Sequence, residues 1–120
     1  IVGRELIALG INLAANTRCA NIFVEGDQLD HLIQRAFKFG DILLFKMIRN
    51  ASQFTDSQEA KDSFKAYAPE IMKLTMSKKV NDDLKVELIG LLSTIQIGDE
   101  WAERLRNAPF MEFLSAHLSL

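Results

Sequence analysis

The side chains best suited to chemistry near neutral pH are two histidines, His31 and His117, and one cysteine, Cys19. Their placement gives them little to do together. The histidines lie far apart in the chain; His31 adjoins Leu32 and reads as a partly exposed structural residue. Cys19 adjoins Ala20, and no His or Asp follows it at a useful spacing, so it reads as a small packed side chain. No His/Cys/Asp cluster has metal-ligand spacing. Asp82-Asp83 reads as a helix start, where negative charge suits the macrodipole, and not as a metal pair. Neither a phosphate-cradling G-x-x-x-x-G-K-[ST] nor a G-x-G-x-x-G occurs. The expectation is therefore no catalytic residue, no cofactor and no metal. Trp101 is the sole tryptophan, at i, i+4, i+7 with Leu105 and Ala108; that spacing predicts core packing ahead of an exposed partner anchor.

The elements that would carry these residues are helices. Apolar residues recur at helical spacing almost everywhere, and strand signals are nearly absent. Val2, Leu6, Leu9 and Leu13 share one face. Asn16-Thr17 starts a short helix reaching Val24, and Gly26 stops it. Asp27 caps a second helix with Leu29, Leu32, Ile33 and Ala36 in line. Gly40 ends it, and Asp41 caps a third with Leu44, Met47, Ile48 and Ala51. The cycle then returns. Asp56-x-x-Glu59 resembles a capping box and opens a short helix with Ala60, Phe64 and Tyr67. Pro69 is placed at the first turn of a second helix with Ile71, Leu74 and Thr75. Asp82 caps a third with Leu88, Leu91, Leu92 and Ile95. Gly98-Asp99 separates it from a helix with Trp101, and Pro109 opens the last, with Phe110, Phe113, Leu114 and Leu118.

The long helices superpose by offset. Leu6, Leu9, Gly10 and Leu13 correspond to Leu44, Met47, Ile48 and Ala51, and these to Leu88, Leu91, Leu92 and Ile95. Such offsets bracket the roughly 40–47 residues of armadillo and HEAT units, and three helices per unit with a short first one favour armadillo. The fold class expected is all-α: a right-handed armadillo-type solenoid of about three repeats, cut from a longer array. Residues 1–16 form the third helix of one repeat, 17–54 and 55–97 two full repeats, and 98–120 the first two helices of another. One triplet cannot hide its own apolar faces, so apolar surface should be open at both ends. A compact helix bundle is the rival, but it does not require matched offsets.

The wording Gly3-Arg4-Glu5-Leu6-Ile7-Ala8-Leu9-Gly10-Ile11-Asn12-Leu13-Ala14-Ala15-Asn16 resembles the kinesin-associated protein family, the armadillo-repeat, non-motor subunit of heterotrimeric kinesin of the second family. Lys46-Met47-Ile48-Arg49-Asn50 and the Glu25-Gly26 turn are similar too. The likeness is strong over residues 1–53; from Gln58 onward only the pattern agrees, anchored by Leu88-Ile89-Gly90 and Trp101. It implies a non-catalytic scaffold that joins the tails of motor chains and links them to cargo adaptors, intraflagellar transport trains included. The implied location is cytoplasmic and microtubule-associated, with the cilium or flagellum among its sites.

Asn12, Asn50 and Thr94 fall at equivalent places on the three long helices. In armadillo proteins that helix lines the concave groove, where an amide can pair with a partner's backbone; an equally good reading is a structural bond to the next helix. Lys46 and Arg49 beside Asn50 read as ordinary solvated helix surface or as a basic spot for an acidic motor tail. Import adaptors of this fold place a Trp four residues before each such Asn; here those positions hold Ala8, Lys46 and Gly90, so nuclear-localisation peptides are not expected. The candidate groove is thus Asn12, Lys46, Arg49, Asn50 and Thr94, with protein partners alone.

Composition agrees with that class. Apolar residues make up 48% of the 120, and the net charge is −2 with both signs interspersed, unlike the basic stripe of a nucleic-acid surface. No apolar run approaches the roughly 20 residues of a membrane span. Catenin-like adhesion scaffolds are an alternative within the class; a helical regulatory or enzymatic domain is one outside it, disfavoured by the lack of paired polar residues.

Overall fold

A computed structural model describes residues 3–96, 98–106 and 108–118. Among them there are eight helices and no strand: α1 Arg4–Ala14, α2 Thr17–Phe23, α3 Gln28–Phe39, α4 Ile42–Phe54, α5 Gln58–Thr75, α6 Asp82–Thr94, α7 Trp101–Leu105 and α8 Pro109–Leu118. Val2, assigned to the apolar face of the first run, lies outside the described residues.

Local chemistry sets most boundaries. Asn16 starts α2 by accepting the Cys19 N–H, and Asp41 starts α4 by accepting the N–H groups of Leu43 and Leu44. Gly40 ends α3 at φ 58°, where a Cβ would be strained. Asp27 precedes α3 as expected, but its side chain makes no capping bond; its backbone carbonyl accepts from the His31 N–H instead.

Three expectations are corrected. The cap of α5 is Ser57, which accepts the Ala60 N–H; Asp56 is turned away to accept from the Asn21 amide at 2.8 Å. The cap of α6 is Asn81, accepting the Leu84 N–H, so Asp82 is the first helical residue. Pro69 opens nothing: it sits inside one continuous 18-residue α5. A helix-interior Pro forfeits a hydrogen bond and costs about 3 kcal/mol. Here Ala60, Phe64, Ala68, Ile71, Met72 and Thr75 form one buried face, and burying that whole stripe outweighs the break.

The long helices pack in sequence, α1 on α4 and α4 on α6. Behind them α2 and α3 lie against α4, and α5 against α6. The main core holds Phe45, Phe64, Ile33, Ile48, Ile71, Leu88 and Leu91, all but excluded from solvent. Leu92 is only partly buried. A second cluster gathers Ala68, Met72, Trp101 and Phe110, so Trp101 is a core residue, with the Arg104 guanidinium 4.3 Å from its ring centre.

Candidate functional site

The layer formed by α1, α4 and α6 positions all five candidate groove residues, because each lies on one of these helices. Small residues permit the close approach. A Cβ on Gly10 would stand 2.6 Å from Met47 Sδ, and one on Gly90 would stand 2.4 Å from Arg49 Cζ. Thus α4 reaches into one flanking helix with a thioether and into the other with a guanidinium.

The polar bonds follow the same geometry. Asn50 Nδ2 donates to Ile11 O at 3.0 Å, joining α4 to α1. The Thr94 hydroxyl lies 2.7 Å from Leu91 O and 2.8 Å from Ser52 Oγ. With its one proton given to the carbonyl, it accepts from Ser52, joining α6 to α4. Arg49 Nη1 pairs with Glu87 Oε2 at 3.3 Å, and Glu87 is otherwise buried. Lys46 and Asn12 are exposed. Asn50 is half-buried. Two of the three equivalent polar residues therefore tie neighbouring helices together, and Lys46 and Asn12 face solvent.

Glu87 was not foreseen as Arg49's partner, though a signal existed: they stand 38 residues apart, about one unit. Other links share that spacing. Tyr67 donates its hydroxyl proton to Asp30, 37 residues away, at 2.6 Å. Desolvation first, then this bond and the Asp30 charge, push the Tyr67 pKa up to about 12. Thr55 donates to Asn21 Oδ1 at 2.6 Å across 34 residues, and the same oxygen accepts the Asp56 N–H. Lys65 pairs with Glu100 at 3.3 Å, 35 residues on; Glu100's own backbone N–H and Lys65 together hold its carboxyl below the usual carboxylate range. These partners lie 34 to 38 residues apart in the chain.

The residues considered for chemistry remain apart. His31 is exposed, and the His117 ring lies tilted against that of Phe113, with ring centres 4.2 Å apart. Cys19 is half-buried. Among the described residues no group of three His, Cys, Asp or Glu could hold a metal ion, and no helix is long and apolar enough to cross a membrane.

A family model described as kinesin-associated protein matches residues 2–119. The chain belongs to the kinesin-associated protein family. That match runs through α5–α8, where the wording of the sequence had become weak and only its pattern remained. The kinesin-associated family is one of non-catalytic adaptors. No solved structure matches the chain.

Proposed function

We propose that this chain is an adaptor segment of armadillo type, a right-handed solenoid of about three repeats divided at 1–16, 17–54, 55–97 and 98–120. It links heterotrimeric kinesin motor tails to cargo adaptors in microtubule-based transport, intraflagellar transport among its settings. The match to the kinesin-associated family across residues 2–119 carries this reading. The architecture is supported by the inter-helix polar bonds, whose partners lie 34 to 42 residues apart: in a solenoid each unit touches only its neighbours. Cytoplasm, at microtubules and in cilia, is the corresponding location.

The tail is proposed to lie in the concave groove lined by α1, α4 and α6, meeting Asn12, Lys46, Asn50 and Thr94, with Arg49 at its edge. Lys46 is the charge free to meet an acidic tail, since Arg49 is already engaged by Glu87. This shapes the test. Arg49→Glu would set two carboxylates together and disturb the fold, so Lys46→Glu is the clean variant. In pull-downs of motor tails by the immobilised chain, Lys46→Glu should lower retention and flatten its salt dependence, by up to about 1 kcal/mol for a rim contact. Circular dichroism should be unchanged. Equal retention by both forms at every salt concentration would place the tail elsewhere.

A further inference from the structure

α3 packs on α4 and α5 on α6, and α3 and α5 meet along a seam. The Tyr67–Asp30 bond, spanning 37 residues, closes that seam at one end. Phe37 and Leu74 repeat the same spacing further along both helices. There the seam opens into a notch of about 350 Å³ lined by Phe37, Glu70, Lys73, Leu74 and Ser77. Its apolar floor is fixed from beneath. Phe37 meets the buried Phe45 edge-on, with ring centres 5.7 Å apart, and Leu74 packs on the same core. Both side chains remain partly exposed.

The helix junctions beside the notch differ. α3 passes to α4 through Gly40 and Asp41, whereas α5 reaches α6 through residues 76–81. The longer junction carries Lys78 and Lys79 directly after Ser77. These two and Lys73 are exposed, and no ion pair among the described residues engages any of the three. Glu70 is the one carboxylate in the lining. Asp82 and Asp83 follow in the first turn of α6, whose positive end offsets their charge. An apolar floor beside three free ammonium groups suits an acidic segment with one bulky apolar side chain. Stacking does not cover this seam. Its walls belong to adjoining units of the proposed array, each unit touches only its neighbours, and both of these neighbours are present.

We propose that this notch docks an acidic segment of a protein partner, with one phenylalanine-sized side chain seated between Phe37 and Leu74 and carboxylates meeting Lys73, Lys78 and Lys79. The anchor supplies affinity, and the ammonium groups supply selectivity and encounter rate. The proposal rests on the armadillo reading for a seam left open, but not on the tail contact, since none of the five proposed tail residues lines the notch. One chain can therefore hold a motor tail and this second partner together.

The test uses a fluorescein-labelled peptide with one phenylalanine between two pairs of glutamates, and glycine and serine elsewhere. Titrated with the 120-residue chain, its anisotropy should rise to saturation. Alanine in place of the peptide's phenylalanine should weaken binding about tenfold, by leaving the notch empty. Lys78→Glu combined with Lys79→Glu should weaken it about fivefold, and lysines in place of the peptide's glutamates should reverse that preference. Both substitutions fall at exposed positions outside the helices, and circular dichroism verifies that the fold is kept. Lys46→Glu should leave the peptide's affinity unchanged. Absence of saturable binding overturns the docking site. Equal binding of the alanine peptide would reduce the contact to unspecific attraction between charges and overturn it too; indifference to the double substitution overturns the basic rim. Weakening by Lys46→Glu would move the peptide to the groove of α1, α4 and α6 and overturn the notch. The assay contains no motor chain, so a failed tail pull-down leaves its result standing.

Discussion

The two flanks of α4 solve one packing problem with different chemistry. Towards α1, Gly10 admits the buried Met47 thioether, and a single amide bond from Asn50 fixes the register. Towards α6, Gly90 admits the half-exposed Arg49 guanidinium, and Glu87 and the Ser52–Thr94 pair fix it. On each side a glycine leaves room for a side chain of α4, and what fills the space differs in its access to water. Met47 is buried and must repack its thioether if the space is taken. Arg49 can swing into solvent at the loss of one partly exposed ion pair. One flank should therefore be rigid and the other forgiving.

The largest effect expected lies beneath both flanks. Leu91 is 1% exposed, and Leu91→Ala should cost about 2–5 kcal/mol in urea unfolding; a loss below 1 kcal/mol would mean that the α6 flank is not a packed core. The glycines test the contrast directly. Gly10→Ala drives a Cβ into Met47 and should cost about 1–3 kcal/mol, even after the helix-propensity gain. Gly90→Ala should fall within about 1 kcal/mol of the parent, because that gain of ~1 kcal/mol offsets displacement of Arg49. Equal losses at the two positions would erase the distinction. Next comes Asn50→Ala, which removes one hydrogen bond from the α1 flank and should cost about 1 kcal/mol.

The smallest effect belongs to the helices behind the layer and serves as a reference. Tyr67 has its pKa pushed up to about 12 from 10.0. Its folded state favours the neutral phenol, so the contribution is fully present below pH 10 and is lost as pH rises through the folded value near 12. Tyr67 is substantially solvated, which holds the amplitude under about 1 kcal/mol. Chemical denaturation between pH 9 and 12 should show that decline, and Tyr67→Phe should abolish it.

Helix positions were legible wherever a residue acts on its own backbone. Asn16, Gly40, Asp41 and Pro109 each mark a boundary the structure keeps. The misreadings arose where a side chain had a choice. Asp56 and Ser57 can each cap α5, and the decision falls to Asn21, a residue 35 positions away that takes Asp56 for itself. Pro69 read as a start because Pro is tolerated there, but a buried stripe from Ala60 to Thr75 keeps the helix running through it. The candidate site was legible in its membership and not in its use. Equivalent positions identified Asn50 and Thr94, but whether each amide or hydroxyl turned outwards or bonded to the adjacent helix depended on how closely the helices approach.

By itself the sequence determined an all-helical chain, the phase of its long helices, and the family to which it belongs, because periodicity, caps and wording are properties of neighbouring residues. Tertiary structure decided which leucines are covered, that Arg49 is held by Glu87 while Lys46 is left to solvent, and that α5 is one helix. The Arg49–Glu87 pair joins residues 38 apart in the chain, and the covered leucines pack against other helices. The free energy of these contacts comes from burial and desolvation, which no local window of sequence contains.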